Sequence, residues 1–268
     1  MSIASIMVSL DLGARAAERV RLAAGLASRF GATLTGIAAR KMPNPGPGED
    51  LKTIQAAYKE EQTKLEKDLK RCREVFEQSC GAEIRTAWHQ AEADATSFLV
   101  RQALAADLVI VGRETDNDTG TLAALPGPVL MEVGRPVLVA PGTDHLRAER
   151  IVVAWKDAPE ARRAVSAALP LIRRAKQVFV VSAGEEARFT GAEQVCGFLN
   201  LHGAQATTHL LTATSREVAD EILRFTTRED ADLVVMGGYG HSRLREWLFG
   251  GVTRDVLQTS PVCCLMSH

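Results

Sequence analysis

Residues 231–240 read Ala-Asp-Leu-Val-Val-Met-Gly-Gly-Tyr-Gly, an apolar run that ends abruptly in glycines. A short run of this kind, rich in β-branched residues and bounded by turn residues, is typical of a strand buried on both faces of a parallel sheet. Residues 106–112 read Ala-Asp-Leu-Val-Ile-Val-Gly and are identical to residues 231–237 at five of seven positions. The two runs therefore predict the same buried strand in two similar parts of the chain.

Three further pairs of segments extend this similarity in the same order along the chain. They are residues 6–10 and 151–155, residues 80–82 and 202–204, and residues 135–137 and 260–262. Together these anchors predict the duplication of a unit of about 120–145 residues. The turn-rich stretch Pro141–Asp144 marks the boundary, so the predicted domains are residues 1–143 and 147–268.

Short apolar runs alternate with longer amphipathic stretches in each half. The predicted strands are residues 6–10, 33–38, 83–88, 108–111 and 137–140, then 151–155, 177–182, 205–210, 233–236 and 262–266. Strands that alternate with helices form parallel sheets with right-handed crossovers. We therefore expect an α/β protein of two tandem doubly wound domains, each with a five-stranded parallel sheet.

The two halves differ after their second strand. Residues 42–48 read Met-Pro-Asn-Pro-Gly-Pro-Gly, which excludes regular structure. A long helix is predicted for residues 51–79, with one apolar seam made of Leu51, Ile54, Tyr58, Leu65, Leu69, Cys72 and Phe76. We expect this seam to cover the protein's own sheet, the alternative being a partner helix. In the second half the same region shrinks to roughly residues 186–202.

Composition and charge narrow the class of protein. The 268 residues carry a formal net charge of −1, which gives no electrostatic footprint for a nucleic acid or an anionic membrane. No apolar run approaches the roughly 20 residues needed to span a bilayer, and the start of the chain lacks the features of a signal peptide. We therefore expect a soluble, cytoplasmic protein.

The five cysteines do not form a recognisable framework. No Cys-x-x-Cys pair occurs, and the number is odd, so neither a disulfide scaffold nor a zinc site is expected. Cys263 and Cys264 fall in the predicted last strand, where buried, small apolar side chains are the simplest interpretation. The histidines show no metal-ligand spacing either, and we predict no metal site in the chain.

The loop after the fourth strand of the second half is the main candidate site. In an open α/β sheet, ligands bind beyond the carboxyl ends of the strands. The loop contains Gly237, Gly240, Gly250 and Gly251, and glycines let successive backbone amides approach a phosphate closely. A helix is predicted to begin near Gly251, with its free amides and the Thr253 hydroxyl directed at the same site. Ordinary turns are the alternative explanation for the glycines.

The chain here resembles the universal stress protein family over nearly all of both halves. Gly237, Gly240 and Gly250 match the family's loop, in which two residues separate the first pair of glycines and nine separate the second pair. Val252 and Thr253 also resemble the usual continuation. The resemblance implies a Rossmann-like fold of the adenine-nucleotide α-hydrolase type, with ATP or a related adenine nucleotide at the loop. It also implies that domains pair through their last strands.

Two positions depart from the family pattern. Gly251 stands where the family usually has a small hydroxyl residue, which removes one hydrogen bond to a phosphate. Lys156 stands where an aspartate usually follows the first strand, and Asp157 comes next. Asp157 serves with a shift of one residue, or Lys156 contacts a phosphate, or both are exposed loop residues. The predicted nucleotide site comprises Ala154, Lys156, Asp157, Met236, Gly237, Gly240, His241, Gly250, Gly251, Val252 and Thr253.

The first half departs further from the pattern. The second and third loop glycines are missing, and Glu114, Asp116 and Asp118 place negative charge where phosphates would lie. Asp11, after the first strand, does resemble the family aspartate. We nevertheless expect no triphosphate in this half.

Three kinds of function fit these observations. The leading one is a stress-response protein that binds an adenine nucleotide, ATP with or without Mg²⁺, and acts by binding rather than by turnover. The second is a slow ATP hydrolase in which Asp157 positions Mg²⁺ or water. The third is an interaction module that has lost nucleotide binding. In each case we expect the halves to pair through residues 137–140 and 262–266, with homodimerisation as a further expectation; no protein partner is identified.

Overall fold

The computed structural model describes residues 2–43, 51–81, 83–113, 122–185, 187–214, 217–240 and 251–268, with the side chains of residues 51–53 left aside. Within these residues the strands are β1 Ser5–Ser9, β2 Thr33–Ala39, β3 Thr86–Ala91, β4 Leu108–Gly112, β5 Val137–Ala140, β6 Arg150–Ala154, β7 Gln177–Ala183, β8 Ala206–Leu211, β9 Leu233–Gly237 and β10 Cys263–Ser267. The α-helices are α1 Ala16–Phe30, α2 Leu51–Cys80, α3 Ala95–Gln102, α4 Pro126–Glu132, α5 Pro159–Ile172, α6 Ala192–Leu201, α7 Val218–Arg228 and α8 Val252–Thr259.

The strands form one continuous sheet in the order β3-β2-β1-β4-β5-β10-β9-β6-β7-β8. The first five strands are parallel to one another, and so are the last five. The two sets meet where β5 and β10 pair antiparallel, with Leu138 opposite Leu265. The predicted α/β class with a mostly parallel, doubly wound sheet is confirmed.

The central strands are buried on both faces because helices cover both sides of the sheet. Ile6, Ile110, Ile151 and Val235 are fully buried on the face covered by α1, α2, α5 and α6. The helices α3, α4, α7 and α8 pack on the opposite face. Among the described helices, none is long and apolar enough to cross a membrane.

The long helix predicted for residues 51–79 is present as α2, but its apolar seam is shorter than expected. Leu65, Leu69, Cys72 and Phe76 are buried, whereas Tyr58 is 52% exposed. A helix of 30 residues is about 45 Å long, which is longer than the seven-residue strand β2 that it crosses. The prediction that the seam covers the sheet therefore holds for the carboxyl-terminal part of α2 only.

Four of the five thiols are buried, which is expected to slow their reaction in the folded protein. The side chains of Cys263 and Cys264 are buried as predicted, at 1% and 2% exposure. Burial raises the pKa of both Cys72 and Cys264 to about 12. Because the thiolate is the reactive form, a thiol reagent at neutral pH is expected to modify the half-buried Cys196 well before these two. Peptide mapping after a short exposure checks this, and rapid native labelling of Cys264 would contradict it.

Candidate functional site

The carboxyl ends of β6 and β9 lie side by side in the sheet. Ala154 at the end of β6 pairs in register with Met236 near the end of β9, and both side chains are buried. The glycine loop leaves β9 at Gly237, and helix α8 begins at Val252 with Gly251 as its extended N-cap residue. The predicted start of this helix is correct, so the loop and the helix N-terminus belong to one edge of the sheet.

Gly237 and Gly240 are places where helix α5 comes very close to the loop. A Cβ atom at Gly237 would lie 2.6 Å from the backbone nitrogen of Ala161 and 2.7 Å from Cγ of Glu160. A Cβ atom at Gly240 would overlap Oε1 of Glu160 and lie 2.6 Å from its Cδ. Both glycines therefore have a packing role in addition to the predicted phosphate-binding role.

Glu160 is the residue at this edge that sequence reasoning missed. Its side chain is 9% exposed, in the first turn of α5, with its carboxylate against the glycine loop. An acidic residue in a first helical turn is common because it interacts favourably with the helix dipole. In the sequence, the only indication was that Glu160 lies close to the loop after β6. That proximity does not predict the direction in which its side chain points.

Three hydrogen bonds hold Gly238 and Tyr239, the two residues between Gly237 and Gly240. The Gly238 amide donates to the Ser267 carbonyl at 2.9 Å, and the Tyr239 amide donates to Oγ1 of Thr253 at 3.1 Å. The His268 ring nitrogen Nδ1 lies 3.1 Å from the Gly238 carbonyl oxygen. Thr253 is buried at 4% exposure, and its hydroxyl oxygen accepts a hydrogen bond from the backbone of the loop. The predicted hydrogen bond from Thr253 to a phosphate stays a prediction.

The first half also contributes to the surroundings of this loop. A Cβ atom at Gly238 would lie 2.5 Å from Cδ2 of Leu130, and one at Gly127 would lie 3.0 Å from the Tyr239 hydroxyl oxygen. Leu130 and Gly127 both belong to α4. Gly238 and Tyr239, at the start of the candidate loop, therefore pack against a helix of the first half.

The segment after β6 places its charged residues at the surface. Lys156 and Asp157 are both exposed, and Oδ1 of Asp157 accepts a hydrogen bond from Nε of Arg162 at 3.1 Å. Trp155, by contrast, is buried, and its indole nitrogen donates to the Thr190 carbonyl at 2.6 Å. The indole anchors the start of this segment, while the two charged side chains that follow remain accessible to a ligand.

Trp155 also lines a cleft of about 530 Å³ between α5 and α6. Apolar side chains of Val165, Phe189 and Phe198 line this cleft together with the Asp157–Arg162 pair. Sites for small molecules have similar volumes and a similar mixture of apolar walls and a few polar groups. The cleft therefore extends the candidate site away from the glycine loop, past Asp157.

A buried ion pair lies at the corresponding edge of the first half. Nη2 of Arg19 lies 2.5 Å from Oδ2 of Asp11, and Nε of Arg19 donates to the Ser9 carbonyl at 2.9 Å. The guanidinium also lies directly beside Gly112, so that a Cβ atom at this glycine would overlap Nη1 of Arg19. Asp11, which resembles the family aspartate, is thus engaged by Arg19.

Several predicted site residues lie outside the described residues. His241 and Gly250 of the second half belong to this group, as do Glu114, Asp116 and Asp118 of the first half. The described members of the predicted nucleotide site do converge on one edge of the sheet. They are Ala154, Lys156, Asp157, Met236, Gly237, Gly240, Gly251, Val252 and Thr253.

The sheet order defines a doubly wound α/β protein, with the start of the glycine loop at the carboxyl ends of its parallel strands. Residues 182–268 match the model of the universal stress protein family. The predicted resemblance to that family is confirmed for these residues. Among curated proteins, none matches the chain significantly.

Solved structures show the same fold over the whole chain. A universal stress protein from Archaeoglobus fulgidus DSM 4304 is 15% identical, with a TM-score of 0.73, and the match covers 97% of this chain and 94% of that one. A functionally unknown protein from Pseudomonas aeruginosa PAO1 is 20% identical, with a TM-score of 0.58, over 98% of this chain and 92% of that one. Two shorter universal stress proteins, solved with cAMP and with dAMP, cover 53% and 51% of this chain at TM-scores of 0.34 and 0.32.

Proposed function

We propose that this chain is a stress-response protein that binds an adenine nucleotide, ATP in the first instance, at the glycine loop of its second half. The observation that carries the proposal is the position of Gly237–Gly240. This segment lies at the carboxyl end of β9, beside β6, within the part of the chain that matches the universal stress protein family. Ligands of open α/β sheets bind at such edges.

Two parts of the site would contact different parts of a nucleotide: the start of α8 and the segment after β6. Gly251 has no side chain with which to cap α8, and the amides in the first turn of a helix can bind a phosphate. Lys156 and Asp157 lie at the surface after β6, where they reach the sugar or the phosphates. Mg²⁺ would enter with the phosphates, and Asp157 would ligate it only after leaving Arg162.

We propose binding rather than turnover because the acidic groups near the loop are poorly arranged for catalysis. Phosphoryl transfer requires a group that fixes the attacking water and a metal held in place. Asp157 is exposed and bonded to Arg162, an arrangement that holds neither. Slow hydrolysis with Asp157 positioning water or Mg²⁺ is the enzymatic alternative.

A second candidate function is favoured by the contact between Glu160 and the glycines. Because Gly237 and Gly240 are needed for the close approach of α5, they are explained even without a ligand. A chain that kept its shape and lost its nucleotide would serve as an interaction module. The titration below separates the two functions.

We further propose that residues 1–143 and 147–268 are tandem domains that arose by duplication. Both sets of five strands have the same order in the sheet, and β5 pairs with β10. The chain would then contain the domain pair within itself, with a homodimer as a further level of assembly. We propose a cytoplasmic location for it.

The proposed function is tested by calorimetric titration of ATP with Mg²⁺ into the wild type and Gly240→Asp. Micromolar binding to the wild type is expected, with no detectable binding to the variant, because the new carboxylate lies where the phosphates approach; thermal unfolding of the variant shows first that it is folded, since a side chain at residue 240 also meets Glu160. Saturating ATP at 100 times Kd should also stabilise the wild type by about 2.7 kcal/mol in thermal unfolding.

Gly25→Asp is the matched control for this titration. Gly25 is an exposed position of α1, and a Cβ atom there meets nothing within 4 Å. This variant adds the same charge away from the loop and should bind ATP like the wild type. An absence of heat with ATP would contradict ATP as the ligand, and an absence of heat with AMP as well would contradict the nucleotide proposal and favour the interaction module.

A further inference from the structure

We propose that Glu160 is an internal competitor of the nucleotide phosphates. Its carboxylate occupies the space beside the glycine loop that a phosphate would enter, and it thereby makes the site prefer ligands with few phosphate charges. The inference rests on the proposed function, because it names which adenine compounds the same site accepts.

The position of the carboxylate is the first argument. Glu160 follows Pro159 in the first turn of α5 and is nine-tenths buried. Its Cγ would lie 2.7 Å from a Cβ atom at Gly237, and its Oε1 would overlap one at Gly240. The side chain is therefore inserted along the two glycines whose amides the nucleotide proposal assigns to phosphate.

Comparison with other helices of the same half shows that this insertion is specific. Glu193 in the first turn of α6 and Asp220 in the first turn of α7 are acidic residues in similar positions. Both are exposed to solvent, as expected for residues that only interact with a helix dipole. Glu160 is buried against a loop instead, so interaction with the helix dipole does not account for its direction.

The equivalent space in the first half is occupied by the opposite charge. There the Arg19 guanidinium lies beside Gly112 and is neutralised by Asp11. The first half thus places a cation beside the glycine that ends its fourth strand, whereas the second half places Cγ of Glu160 beside that glycine and the carboxylate beside Gly240. An anion at this place repels a phosphate, and the repulsion grows with the number of phosphate charges.

Glu160 can also be displaced, which a backbone group could not be. The atoms that meet Gly240 are the far end of a flexible side chain, which has several rotatable bonds and staggered rotamers. A phosphate can enter when the carboxylate turns outward. Each phosphate charge left near the displaced carboxylate weakens binding, so adenosine and AMP should be favoured over ATP.

Titrations of adenosine, AMP and ATP into the wild type, Glu160→Gln and Glu193→Gln test this inference. Glutamine keeps the shape of residue 160 and removes its charge. We expect ATP to bind Glu160→Gln at least about tenfold more tightly than the wild type, AMP to gain less, and adenosine to stay within about twofold. Glu193→Gln removes an exposed charge of the same kind and should bind all three like the wild type.

The outcomes separate this inference from the proposed function. An equal gain for adenosine and ATP, or no gain for ATP, would overturn the role of Glu160 while leaving nucleotide binding intact. If adenosine, AMP and ATP bind neither the wild type nor the variants, the proposed function fails, and the preference for few phosphates fails with it.

A measurement without ligand tests the contact itself. Gly240→Ala is expected to lower the melting temperature in the wild-type background, because the new Cβ overlaps the Glu160 carboxylate. In a Glu160→Ala background the same change should lower it by less than half as much. Equal effects in the two backgrounds would show that the carboxylate does not lie beside Gly240 and would overturn the inference independently of nucleotides.

Discussion

Gly237→Ala is expected to lower the free energy of unfolding by about 2–4 kcal/mol, which is at the high end for a one-carbon change in a packed interior. The added Cβ would lie 2.6 Å from the nitrogen and 3.0 Å from the Cα of Ala161. These are backbone atoms of α5, and a clash with them cannot be relieved by rotating a side chain. The change therefore pushes α5 away from β9, against which it packs. Denaturant unfolding of the two proteins measures the difference.

Gly197→Ala is the matched control in the same half. Gly197 is an exposed residue inside α6, and a Cβ atom there meets nothing within 4 Å. Because alanine has the higher helix propensity, this variant should be more stable than the wild type by about 0.5–1 kcal/mol. A Gly237→Ala variant that unfolds like the wild type would show that the close approach of α5 is not a real constraint.

Arg19→Met is expected to lower the free energy of unfolding by about 3–5 kcal/mol. The guanidinium is almost fully buried and bonds to both Asp11 and the Ser9 carbonyl. Methionine fills much of the same volume but leaves the Asp11 carboxylate, itself only 13% exposed, without its counter-charge. An uncompensated buried charge accounts for most of the expected loss. Denaturant unfolding again provides the measurement.

Two further variants test the cause of that loss. Adding Asp11→Asn to Arg19→Met removes the charge left behind and should recover part of the stability. Arg162→Met breaks the Asp157–Arg162 pair, whose side chains are more than half exposed, and should change stability by at most about 1 kcal/mol. Similar losses for Arg19→Met and Arg162→Met would contradict the assignment of the effect to burial.

The sheet was predictable where its strands are buried on both faces. Residues 233–236 were predicted as a strand and form β9, because a continuous apolar run has no other stable place in an α/β protein. The edge strand β3 was predicted at residues 83–88 and lies at Thr86–Ala91. Its side chains are mostly exposed or half-buried, so hydrophobicity does not fix its ends.

The position of the glycine loop between a strand and a helix was predictable, but the contacts of its described residues were not. The spacing of glycines after a buried strand located the loop, and the start of α8 followed from Gly251. The insertion of Glu160 depends on how closely α5 approaches β9, which is a tertiary property. The use of Thr253 to hold the Tyr239 amide likewise depends on the path of the loop, which no local pattern determines.

The contact of Gly238 and Tyr239 with α4 changes the meaning of the half that lacks a glycine loop. Leu130 and Gly127 belong to the first half, yet they pack against Gly238 and Tyr239 in the loop of the second half. If the first half arose by the proposed duplication and binds no nucleotide, its sequence is free to change except at the positions that contact the loop of the second half. On that proposal, selection on the second half's loop would act on both halves, and the first half would serve as a partner that is covalently attached.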